Sequence, residues 1–170
     1  MRRICAWCQT DLGAIESVAN SENTITHGIC HSSATRLCSE NGEPLMEFLD
    51  RLGVPILLAE SEPRVLTANK PARDLLGKGL GDIEGHKGGE VIECVYASTP
   101  DGCGQDVHCK ACTIRNTVLE TFETGKNFLR VKAFPDIQFD QDTRTMSLEI
   151  STEKVGDVVL LRIDDFGEAD

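Results

Sequence analysis

The sequence predicts an α+β protein. A five-stranded antiparallel sheet flanked by helices is expected over residues 45–167, preceded by a small cysteine-rich module over residues 1–40. Three observations predict it. Two short strand-like runs precede a helical middle and three follow it, with connections short enough for antiparallel pairing. Eight cysteines fall into two groups, Cys5 to Cys38 and Cys94 to Cys112. At 170 residues and 40% hydrophobic, the chain can hold one cored domain and an appendage.

The first module opens Arg-Arg-Ile-Cys-Ala-Trp-Cys, a C-x-x-C pair at Cys5 and Cys8, and continues to His27, Cys30 and Cys38. Two ligands on a tight knuckle and two from a distant turn are the usual layout of a structural zinc site. A piece this small cannot build a stable core, so a metal would supply what the core lacks. A thioredoxin-type role for Cys5 and Cys8 is disfavoured, because no strand is expected before the pair.

Ser39 to Pro44 reads as a linker. Leu45 to Leu52 is amphipathic and ends at Gly53. It carries more apolar positions than one face needs, with Phe48 and Leu52 on one side and Leu45 and Leu49 on another. A second copy could therefore pair through it. Val54–Ala59 and Arg64–Thr67 read as a hairpin. Asn69 is a good N-cap, Pro71 suits a first turn and Gly77 a helix stop. Residues 77–90 are glycine-rich and read as loops, without P-loop spacing or any other nucleotide motif. His86, within them, reads as a solvated loop residue. Ile114, Val118 and Phe122 recur at helical spacing up to Gly125. Phe128–Phe134, Thr145–Ser151 and Val158–Ile163 read as strands, with polar Asp136–Thr143 as a connector.

The chemistry concentrates in residues 93–112. Cys94, Cys103, Cys109 and Cys112 follow the spacing C-x8-C-x5-C-x2-C, with Cys103 inside a Gly-Cys-Gly turn. Thiolates at short spacing suit zinc or an iron–sulfur cluster. No standard zinc-finger or ferredoxin formula has this spacing. A redox-active thiol set, loose thiols or two disulfides are the alternatives. His108, beside Cys109, is either a substitute ligand or, more plainly, an exposed loop histidine.

Net charge is −11. Nucleic acid and anionic membrane surfaces both need basic patches, so neither is expected as a partner. No signal peptide or membrane-spanning stretch is read, which makes the expectation cytoplasmic. Thiols stay reduced there, so eight cysteines point to metal or redox chemistry rather than a disulfide frame. No Ser-His-Asp, HExxH or kinase signature appears, and no enzyme activity is expected.

Two resemblances follow. ICAWC with HGIC resembles a short cysteine motif found beside bacterial sensory and response-regulator domains. That motif has a further Cys three residues on, where this chain has Ser33. His27, His31 or Cys38 would then complete the ligand set. Residues 45–167 resemble a PAS domain through VLTANKPARDLLG, the helix Ile114 to Gly125, and VGDVVLLRIDDFGE, which looks like that family's last strand and its acidic exit. The cysteine stretch is similar to a bacterial PAS subset, with Gly89, Cys94, Ala97, Gly102-Cys103-Gly104, Cys109, Cys112 and Arg115 at its motif positions. The resemblance implies a sensory module that signals through a protein partner, often as a homodimer.

Overall fold

The computed structural model describes residues 2–5, 9–14, 25–28, 45–61, 64–139 and 142–169. The chain divides into two units, Met1–Phe48 and Leu49–Asp170.

In the first unit β1 (Arg2–Cys5) pairs antiparallel with β2 (Asp11–Ala14) and parallel with β3 (Ile25–Gly28). A strand therefore does lead into Cys5. Arg-Arg-Ile shows no alternation, and β1 owes its extended form to neighbours on both edges. The chain turns back after Cys5. The Gln9 N–H donates to the Cys5 carbonyl at 3.0 Å, and the Cys5 N–H donates to the Thr10 carbonyl at 2.8 Å. Gln9 takes φ +59°, a left-handed position that tightens the knuckle. Register sets Ile4 beside His27 and Cys5 beside Gly28, so the sheet brings the start of HGIC alongside ICAWC at backbone level. Cys5 is fully buried. Cys8, Cys30, His31, Ser33 and Cys38 lie outside the described residues, and His27 is placed by its backbone only.

Helix α1 (Leu45–Arg51) follows. Phe48 is 4% and Leu49 1% exposed, so one residue of each apolar side is buried.

The larger unit is built on one antiparallel sheet. Its path is β5 (Val65–Ala68), β4 (Ile56–Ala59), β9 (Val158–Glu168), β8 (Asp142–Val155) and β6 (Phe128–Ala133). A sixth strand, β7 (Asp136–Phe139), pairs with the start of β8 and replaces the expected connector. Polar Asp-Ile-Gln-Phe carries little hydrophobic signal, and the pairing to β8 makes the strand. The acidic exit expected after Ile163 is likewise strand to Glu168. There Asp164 accepts from Arg162 Nε at 2.6 Å and from the Ser151 hydroxyl.

Period-two alternation sends Leu57 and Ala59, Leu148 and Ile150, and Val159, Leu161 and Ile163 to one face of the sheet. That face forms the core with Ala72, Ile83, Val91 and Val118. Ala72 lies in α2 (Lys70–Leu76), Val91 in α3 (Gly88–Val91) and Val118 in α4 (Thr113–Thr124). The glycine-rich 77–90 stretch thus holds a 3-10 turn at Leu80–Asp82 and the short α3. Asn69 caps α2 as expected, and Gly125 ends α4 at φ +72°.

Candidate functional site

All four central cysteines line one cavity of about 380 Å³ between the helical insertion and the core face of the sheet. Each is placed by its own local device. Gly89, in α3, lies against Cys103. A Cβ there would fall 2.7 Å from Cys103 Sγ and 3.5 Å from the Ala97 Cβ. Only glycine lets the thiol come this close. Glu93 takes φ +59°, which swings the next residue inward, and the Cys94 N–H donates to the Gly89 carbonyl at 2.8 Å. Cys94 then bridges to Ile137, held by a 2.8 Å bond from the Gln138 N–H to the Glu93 carbonyl.

Gly102 and Gly104 both have positive φ, so the Gly-Cys-Gly turn needs glycine on each side of Cys103. Lys87 Nζ ties this turn down through the Cys103 carbonyl at 2.8 Å. Cys109 is 6% exposed, and its Sγ accepts the Gly104 N–H at 3.2 Å. Cys112 is the N-cap of α4.

The walls are braced by residues that the sequence did not single out. Asp106 caps the 3-10 turn Val107–Ala111, accepting from the His108 N–H at 2.9 Å and lying 2.8 Å from His108 Nδ1. The Thr99 hydroxyl donates to it at 3.0 Å. The His108 backbone N–H, followed by its ring, holds the Asp106 carboxyl below the usual carboxylate range. Such a group adds stability above its unfolded pKa and loses it as pH falls through the folded one, so strong acid loosens this turn. The His108 ring stacks on Tyr96 with centroids 4.2 Å apart, and the Tyr96 hydroxyl donates to Asp136 at 3.2 Å. His108 is exposed and engaged with Asp106. An Asp two residues before a His, at the start of a tight turn, is the signal that could have found the cap. His86 is exposed, as expected.

The central four cysteines are free thiols. Among the described residues no three His, Cys, Asp or Glu side chains are placed to hold one ion. A tetrahedral zinc site brings its sulfurs to about 3.8 Å from one another, from a Zn–S length of about 2.3 Å. The central four line one cavity, and no three of them are so placed. Burial pushes the Cys94 and Cys103 thiols above the ordinary value, and the neighbouring cysteines add to the rise. A thiol with a raised folded pKa contributes stability that is present below its unfolded pKa and lost as pH rises through the folded one. The metal-free pocket therefore weakens in alkali. Iodoacetamide, which attacks thiolate, should label Cys94 and Cys103 of metal-free protein more slowly than free cysteine at pH ~8. Peptide mass spectrometry over time reads the rates, and labelling as fast as free cysteine would contradict the burial described.

Among the described residues no helix is long and apolar enough to cross a membrane. No family model and no curated protein matches the chain. Solved structures similar to it include PAS domains. The PAS domain of BvgS from Bordetella pertussis is 14% identical, covers 74% of this chain and 84% of its own, and superposes with a TM-score of 0.43. The PAS domain of nitrogen regulation protein NR(II) from Vibrio parahaemolyticus is 13% identical over 73% of this chain and 96% of its own, with a TM-score of 0.44. A domain of a sensory box sensor histidine kinase/response regulator from Geobacter sulfurreducens is 14% identical over 79% and 93%, with a TM-score of 0.44.

Proposed function

We propose that the chain is a sensory signal-transduction module. Cys94, Cys103, Cys109 and Cys112 hold an iron–sulfur cluster, and its redox state or loss is passed on by contact with a protein partner. The observation that carries this reading is the shared cavity, which all four thiols line. At about 380 Å³ it far exceeds the roughly 30 Å³ share of one water, so it has room for a polynuclear group. The donor chemistry fits, since clusters are held by four cysteine thiolates and tuned by hydrogen bonds to sulfur. Gly104 already aims an N–H at Cys109 Sγ. When bound, a cluster would supply a one-electron couple. Protonated thiols must release protons to take it, so loading weakens as pH falls. A reducing compartment such as the cytoplasm would keep the thiols free.

The output would run through the two elements that carry ligands. Cys112 caps α4, whose buried Thr121 hydroxyl meets the Thr152 hydroxyl of β8 at 2.7 Å. Cys94 is stitched to β7. A shift at the sulfurs would move α4 against the sheet and disturb the β7 edge, a local event that biases a larger element. The first-module residues Cys5, Cys8, His27, Cys30 and Cys38 would hold a separate structural zinc.

Anaerobic purification tests the reading. Brown protein, with iron and sulfide that vanish when the four cysteines are changed to serine, is the expected result. Colourless protein with zinc at these cysteines would make the unit a structural interaction module. No metal, with a fast reversible Cys109–Cys112 disulfide, would make it a thiol oxidoreductase.

A further inference from the structure

We infer that Arg115 is the counter-cation of the thiol cavity, its guanidinium pairing with the negative charge that the cysteines acquire on loading. This rests on the cluster reading above. Arg115 lies in the first turn of α4, three residues after Cys112, and lines the same cavity. Its Nε is buried and without a hydrogen-bond partner. Gly104 lies against it: a Cβ at Gly104 would sit 3.8 Å from that Nε. Among the described residues no carboxylate reaches Arg115 as an ion-pair partner, although the chain has 28 acidic residues against 17 basic ones. Arg73, whose Nε is also buried and unpartnered, differs here, because Asp50 lies 4.0 Å from its guanidinium.

Position adds a second conflict. The first turn of a helix favours anions, so a cation there is set against the helix dipole. A half-buried cation whose Nε is shut off from water without a partner, at the wrong end of a helix, is costly in the empty state. Both costs are relieved by an anion in the cavity. Thiolate ligands supply that negative charge when they bind a cluster. The reduced state of a cluster carries one more negative charge than the oxidised state, so a nearby cation favours reduction.

The test uses the full chain, metal-free and after anaerobic reconstitution with ferrous iron and sulfide, as wild type, Arg115→Met and Arg115→Lys. Metal-free Arg115→Met is expected to melt no lower than metal-free wild type. Once loaded, it should have a lower midpoint potential, by at least a tenfold change in the one-electron equilibrium, about 59 mV. Arg115→Lys should recover much of that shift. A lower melting temperature for metal-free Arg115→Met, or an unchanged potential in the loaded variant, overturns the role of Arg115 and leaves the cluster reading standing. Wild type that takes up no cluster overturns both.

Discussion

Replacing Asn69 by alanine lowers the unfolding free energy of the Leu49–Asp170 unit by about 3–5 kcal/mol, from lost bonds and groups left unsatisfied. The side chain is completely buried and uses its whole bonding capacity. Its oxygen accepts from the Ile56 N–H at 2.9 Å and the Ala72 N–H at 3.1 Å. Its nitrogen donates to the carbonyls of Leu49 and Val54, both at 2.8 Å. One residue thus fixes the end of α1, the start of β4 and the start of α2. Alanine would leave the buried Ile56 and Ala72 N–H groups without this acceptor, and would take a donor from the Leu49 carbonyl and from the partly buried Val54 carbonyl. Asn69→Asp keeps the two acceptor roles, loses both donors and buries a charge, so it should also be strongly destabilising. Urea melts of the three proteins decide the matter, and a cost below about 1 kcal/mol for alanine would refute the network.

Gly89→Ala is expected to abolish cluster loading while leaving the fold intact. In a helix interior, alanine is better than glycine by about 1 kcal/mol, so propensity alone predicts a slightly more stable protein. Packing predicts the opposite for the site. The new methyl would stand 2.7 Å from Cys103 Sγ and 3.2 Å from its Cβ, distances that force the thiol out of the cavity. The displaced thiol should alkylate faster than in wild type, while circular dichroism stays unchanged. Brown Gly89→Ala protein with unchanged Cys103 reactivity would show that this contact does not set the site.

Much of this fold was legible where one residue makes its own structure. Asn69, Gly77 and Gly125 announce helix ends by their own chemistry, and the Met146-Leu148-Ile150 alternation marks the core face of β8. Four cysteines within nineteen residues marked the site. The parts that were not legible depend on partners distant in sequence. β1 and β7 lack apolar alternation and exist through pairing. The far end of β9 looked like an acidic tail, because the Arg162 and Ser151 side chains that accommodate Asp164 cannot be foreseen from local pattern. Gly89 stood in the cysteine motif without a reason, since its contact with Cys103 spans fourteen residues. Arg115 stood there too, and its missing partner is visible only in three dimensions.

The place of β9 bears on how the protein is made. It is the last strand described, yet it lies in the middle of the sheet, between β4 and β8. Ile56 waits for Arg162 and Leu58 for Leu160 across more than a hundred residues of chain. On the ribosome, the β4–β5 hairpin and the β6–β8 meander are therefore finished halves with no seam between them. The cysteines emerge before the strand that joins the two, so the floor of their cavity, where Leu161 and Ile163 sit, is missing until β9 has been made. Closure of the pocket around the four thiols thus waits for β9. Until then the nascent thiols depend on the reducing power of their surroundings for protection.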